Sequence, residues 1–297
     1  MKTEEGRRQA GRMDGPVRTS NSSRSPASPC STNKDFWNTS TESGDADRCL
    51  RVPAQKLTVG YWACRGLAAP LRMMCAFKDA DYVDHQYELF QNAGCFECPP
   101  WEEDRQALLT HNPFAALPFV IDGNTVVATA PASSAYLAHK LGLAGANESE
   151  RLRCQQALAI VYELRNDAMR VLYGPLPVYE QGHRGYLERT ARTHYGKLNR
   201  WLEMHRTLYL TSDDPAQPDF ELWEMLDMHE LWANDTVCTR PLSGFTALTK
   251  LYDALRDLDV LQTYFKSPQF LLPFNNKMAH FRDTESSWRE HRELGER

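Results

Sequence analysis

The sequence predicts a small mixed α/β domain followed by an all-helical one. Three observations point there. The texture changes abruptly at Lys56, apolar residues then follow a strand and helix alternation that ends near Gly142, and from Arg151 onward every periodic segment has helical spacing.

In chain order, "KLTVGYW" alternates as a strand, and "GLAAPLRMMCAFKDA" spaces its apolar residues as a helix does. "YVDHQYELF" reads as a second strand and "WEEDRQALLTH" as a short helix. "LPFVIDGNTVVATA" holds two β-type runs around Asp122-Gly123-Asn124, a hairpin signal, and "PASSAYLAHKLGL" opens a helix at Pro131 that stops near Gly142. The order is βαβαββα over residues 56–143, in which a right-handed crossover gives parallel strands and the hairpin adds antiparallel ones. "AGANESE" reads as a linker. Over residues 151–281, four segments carry apolar residues three or four apart, with Tyr195, Leu198, Trp201 and Leu202 forming one helix face. Residues 1–55 are rich in Ser, Thr, Asn, Pro and charge and read as a disordered extension, and residues 282–297 as a flexible tail.

Composition excludes several classes. The 297 residues carry a net charge of −5 with scattered basic residues, so no nucleic-acid or anionic-membrane footprint is expected. No run is long and apolar enough to span a bilayer, no signal-peptide core is present, and acidic residues near the N-terminus disfavour a mitochondrial presequence. The eight cysteines are dispersed apart from Cys95 and Cys98, which argues for reduced thiols and a cytoplasmic setting. "CFEC" runs into Pro99-Pro100 and is read as chance spacing in a loop rather than a redox pair. The histidines show no metal-ligand spacing, so no metal is expected.

Tyr61 raises the sharpest question, because a tyrosine closing a strand either packs its ring or presents its phenol to a pocket. Gly60, Tyr61, Trp62, Arg65, Gly66, Leu67, Ala68 and Arg72, with "NPFAALPFVIDG", "AYLAHKLGL", "DFELWEMLDMH" and "YFKSPQFL…KMAHF", resemble the cytosolic glutathione S-transferases, and among them the mu class. The likeness runs from about Leu57 to Phe281. It implies a thioredoxin-like N-terminal domain, glutathione as co-substrate and small apolar electrophiles as partners.

The resemblance also implies roles. Tyr61 matches the tyrosine whose hydroxyl hydrogen-bonds the glutathione thiolate; lowering a thiol pKa by about two units is roughly 2.7 kcal/mol of preference for the anion. Leu117 and Pro118 match a cis-proline segment that pairs with the peptide's backbone, Trp62 and Leu67 line the same site, and Trp101 with Arg105 match the Trp and Lys that hold the glycine carboxylate. Thr129 and Ala130 take the places of the Gln-Ser pair that holds the γ-glutamyl end, and Pro131 follows where the family has Asn. The lost hydroxyl is worth about 1.5 to 3 kcal/mol. Ala116 replaces an Asn before the Leu-Pro. Glu163 matches an acid that reaches the γ-glutamyl amine across a dimer, Phe114 matches the aromatic key of a homodimer, and Tyr173, Tyr162 and Met169 line the electrophile pocket. Two functions therefore stand: conjugation of glutathione to apolar electrophiles, and a weakened transferase-like module that binds apolar ligands or proteins.

Overall fold

The computed structural model describes residues 56–281, all within one compact unit; the expectations for residues 1–55 and 282–297 lie outside them. The predicted class holds: a four-stranded mixed sheet with helices on both faces is followed by a helical part.

The sheet runs in the order β2 (Val83–Tyr87), β1 (Thr58–Trp62), β5 (Phe119–Asp122), β6 (Thr125–Ala128). β1 is parallel to β2 and antiparallel to β5, which pairs with β6 through a two-residue turn at Gly123-Asn124. Side chains alternate across a strand, so β1 divides two cores. Val59, Tyr61 and Val120 join α1 (Ala69–Phe77), α3 (Ala130–Lys140) and the helical part in one continuous core. Phe119 and Ile121 face the other way, toward Tyr87, Trp101 and Leu108 on α2 (Pro99–Leu109). Gly60 is required where the sheet is crossed, since a Cβ there would stand 2.1 Å from the Phe119 ring.

Four segments differ from expectation, three of them before the end of the linker. A short hairpin, β3 (Phe90–Asn92) and β4 (Cys95–Glu97), follows β2 where only a strand end was read. It carries Cys95, and Cys98 is the N-cap of α2 with Pro99 and Pro100 in its first turn, so "CFEC" joins a strand to a helix start rather than lying in a loop. Cys98 is buried and its thiol pKa is raised, first by desolvation, which keeps it protonated despite the helix end. The linker is also shorter. α4 (Glu148–Leu172) begins inside "AGANESE", because Asn147 Oδ1 accepts from the Glu150 N–H at 3.0 Å while Glu150 Oε2 accepts from the Ala146 N–H at 2.8 Å.

The helical part continues with α5 (Leu176–Gly185), a π turn over Tyr186–Thr190, α6 (Ala191–His205), α7 (Gln217–Asp235) and α8 (Thr246–Arg256). α5 was not read from sequence. α7 is buried on nearly every side and packs against α1 and α4, which makes it the post between the sheet and the rest.

Candidate functional site

The site forms where β1 ends. Tyr61 is 7% exposed, and the loop that follows it is held from three sides. Arg72 on α1 donates to Cys64 O at 2.7 Å and to Asp84 Oδ1 at 2.8 Å. Arg65 donates to Glu224 and Asp227 on α7, and its guanidinium lies over the Phe270 and Phe274 rings, 4.2 and 3.9 Å from their centroids. The Arg65 and Gly66 N–H groups donate to Pro273 O and Phe274 O. Burial alone would lower the Arg65 pKa, and the charges of Glu224 and Asp227 more than reverse that, so the cation persists. Gly66 adopts φ +41°, and a Cβ there would lie 2.9 Å from the Tyr61 hydroxyl oxygen.

Beside this loop the Leu117–Pro118 peptide is cis. The β1–β5 pairing ends at Gly60 and Phe119, so Leu117 and Pro118 directly precede the paired strand. Among the described residues no hydrogen bond uses the Leu117 N–H or C=O. A peptide backbone can therefore add there as a short strand.

Trp62 and Trp101 meet edge to face, with centroids 6.4 Å apart, but Trp101 is 6% exposed and also stacks on Phe119. Its first duty is packing. Arg105 spends its Nε on Ala115 O at 3.3 Å. At the start of α3, Thr129 is an exposed N-cap at φ 72°, ψ 145°, with no side-chain cap bond, and Ala130 and Pro131 open the helix. Pro131 contributes no N–H to the first turn.

On α4 two flanks separate. Tyr162, Met169 and Tyr173 form one stripe at helical spacing. The Tyr162 hydroxyl is buried without a partner at bonding geometry, and the Tyr173 hydroxyl donates to Asn275 Oδ1 at 3.4 Å. Glu163 lies on the other flank, facing α6, where it meets Lys197 at 3.6 Å. Within one chain it is not gathered with Tyr61. Phe114 is 74% exposed.

Sequence reasoning missed Arg165. It sits three residues after Tyr162 and four before Met169, half-buried, and makes no hydrogen bond or ion pair among the described residues. Burial raises the pKa of Tyr61, Tyr162 and Tyr173, so each phenol stays a neutral donor at neutral pH; the positive charge of Arg165 opposes the shift in all three. The available signal was a lone cation inside an aromatic and apolar stripe. Among the described residues no cluster of three metal-ligating side chains occurs, and no helix is long and apolar enough to cross a membrane.

Residues 162–268 match the family described as "Glutathione S-transferase, C-terminal domain". Over 217 residues, 72% of this chain and 93% of the relative, the sequence is 26% identical to human Glutathione S-transferase Mu 4. It is 36% identical to a Glutathione S-transferase of Tyrophagus putrescentiae over 127 residues, 41% of this chain and 54% of that one. The fold is shared with the glutathione S-transferase Blo t 8, with a TM-score of 0.66, 21% identity, 76% of this chain and all of that chain covered. The Onchocerca volvulus pi-class enzyme superimposes with a TM-score of 0.62, at 22% identity over 76% of this chain and all of that one. Fold and matched segments together make the chain similar to the glutathione S-transferases. Its long sequence alignments run to the mu class.

Proposed function

We propose that the protein conjugates the glutathione thiolate to apolar electrophiles, with the Tyr61 hydroxyl donating a hydrogen bond to the sulfur. The observation that carries this reading is one juxtaposition. A buried phenol lies one residue before the end of β1, and the unused backbone groups of Leu117 lie two residues before Phe119, where β5 begins to pair with β1. The raised pKa of Tyr61 keeps it a donor rather than a base. The thiolate attacks an electrophilic carbon lying against Tyr173, Tyr162 and Met169, and a phenol donor stabilises negative charge on the departing or developing anion. Trp62, Leu67, Leu117 and Pro118 line the peptide; Arg105 attracts the glycine carboxylate, and the α3 start at Thr129 and Ala130 faces the γ-glutamyl end.

A homodimer completes this reading. Phe114 presents an exposed ring, and a groove of about 390 Å³ between α4 and α6, lined by Ala157, Ile160, Leu198 and Trp201, is apolar enough to receive one. Burying it contributes on the order of 2 kcal/mol. Glu163 borders the same flank, so its contact with a γ-glutamyl amine would be made in the partner copy. Detoxification in the cytoplasm fits this chemistry.

A second reading, a binding module without turnover, draws on Ala130, Pro131 and the packed Trp101. One titration and one assay separate the two: calorimetry with glutathione, and conjugation of glutathione to chlorodinitrobenzene by the wild type and Tyr61→Phe. Binding with loss of conjugation in Tyr61→Phe is expected. No binding at several millimolar glutathione overturns the enzyme reading, and equal rates for the two proteins overturn the role of Tyr61.

A further inference from the structure

We infer that Arg165 makes the electrophile pocket selective for acidic acceptors, compounds that carry a carboxylate beside the electrophilic carbon. This deepens the transferase reading of the same cleft and rests on it.

Arg165 belongs to the α4 stripe of Tyr162, Met169 and Tyr173 by its spacing, and that stripe is the one turned away from the α6 flank. The charged side chains within five residues of it on this helix are paired. Arg170 holds Asp167 at 2.6 Å, Glu163 meets Lys197, and Asp167 also accepts from His194 at 3.0 Å. Arg165 alone among these has neither a hydrogen bond nor an ion pair within the described residues.

The carboxylate whose titration feels Arg165 is Glu221 on α7, but one of its oxygens is already taken by the Ser134 hydroxyl at 2.6 Å, and no salt bridge to Arg165 forms. Burial raises the Glu221 pKa, with Ser134 and then Arg165 opposing, so this acid is a poor counter-ion. Arg165 is half-buried on the stripe that carries Tyr162 and Tyr173, and its positive charge opposes the raised pKa of Tyr61, Tyr162 and Tyr173. A planar cation with five donors and no internal partner is completed by a planar anion.

The matching substrate is an enone or activated arene with a carboxylate. For an enone, the glutathione sulfur forms a bond to the alkene carbon and the π pair moves to the carbonyl oxygen. The resulting enolate takes a proton from solvent, and the carboxylate on Arg165 is unchanged throughout.

The test uses the full chain and a pair of ligands that differ in charge and by one methyl group, benzoylpropionic acid and its methyl ester, which are unreactive analogues of benzoylacrylic acid and its ester. By calorimetry the wild type should bind the acid about tenfold more tightly than the ester. Arg165→Met should reduce that preference to below about twofold, and Arg165→Lys, which keeps the charge but loses the planar fork, should retain part of it. Circular dichroism checks that both variants fold. A wild-type ratio near one, or a tenfold preference surviving in Arg165→Met, overturns the inference. The reactive pair then separates this proposal from the one it rests on. Absent conjugation with the acid preference intact removes the transferase reading alone, whereas conjugation without acid preference removes this one alone.

Discussion

The Arg65 guanidinium grips the Glu224 carboxylate across the junction of sheet and helices, with Nε 3.0 Å from Oε1 and Nη2 2.5 Å from Oε2. Both side chains are nearly fully buried, 0% and 7% exposed. Such a pair is a poor source of net stability compared with apolar packing, yet breaking it by half strands a charge, which costs about 3 to 5 kcal/mol. Asp227 still holds Arg65 at 2.8 Å in Glu224→Gln, so the single variant that strands charge is Arg65→Met, which should lower unfolding free energy by that amount in urea titrations. The double variant Arg65→Met, Glu224→Leu should lose much less. Equal losses in the single and double variants would mean that packing, not charge, dominates at this junction.

Gly66 is the contact through which that anchored loop shapes the phenol. Its φ of +41° strains any other residue, and an added Cβ would sit 2.7 Å from Tyr61 Cε1. Gly66→Ala should push the ring aside and lower kcat/KM for chlorodinitrobenzene by tenfold or more, since a shift of about 1 Å at a reacting centre is enough for that. Unfolding free energy should fall by only about 1 to 2 kcal/mol. A variant that conjugates at wild-type rate would show that the hydroxyl's position does not matter.

At the start of α3, Thr129 is a β-branched residue held at φ 72°, a conformation that costs on the order of 1 to 3 kcal/mol. Strain of this kind persists where surroundings dictate the backbone. Thr129→Gly should stabilise the fold by about 1 kcal/mol in thermal unfolding. Ala130→Ser should restore a hydroxyl to the first turn of α3 and tighten glutathione binding by roughly tenfold in calorimetry. An unchanged affinity in the serine variant would move the γ-glutamyl contact elsewhere.

Which parts were legible from sequence follows from how local their causes are. α4, α6 and α8 announce themselves because each buries a stripe, and Leu198 and Leu202 on α6 sit in the core as their spacing demands. The β5–β6 hairpin was legible through its Gly-Asn turn. The β3–β4 hairpin was not: its strands are three residues long, β3 is fully exposed, and its turn places Ala93 at φ +48° before Gly94 at φ +85°, a backbone that sequence ordinarily advertises with Asn-Gly. α5 buries no residue at all, so no apolar stripe betrays it. In the site, alternation fixed the strands beside Tyr61 and Leu117-Pro118, whereas the roles expected of these residues came from the resemblance to the glutathione S-transferases. Arg165 was not, because what matters about it is the absence of a partner, and partners come from α7 and β1, far away in sequence.

Two buried groups in the helical core titrate with opposite effects on stability. Asp219 starts α7 and accepts from the Leu210 and Ala216 N–H groups, at 2.7 and 2.9 Å; burial nonetheless pushes its pKa from 3.8 up to about 7. The native state then holds a proton that the unfolded state has released, so stability falls as pH rises from about 4 to 7. His229 is bracketed by the Tyr186 and Tyr195 hydroxyls at 2.9 and 2.8 Å. Burial, aided by His194, brings its pKa from 6.5 down to about 3. Here the unfolded state takes up the proton first, so stability is lost as pH falls below 6.5 toward 3. Each group contributes a slope of about 1.4 kcal/mol per pH unit, and where the windows overlap the two slopes oppose. Asp219→Asn should therefore make the urea-derived stability rise with pH more steeply than in the wild type, by about that amount per unit. His229→Gln should tilt it the other way over the same range. Parallel pH profiles for wild type and either variant would show that the substituted group keeps its ordinary pKa in the folded chain.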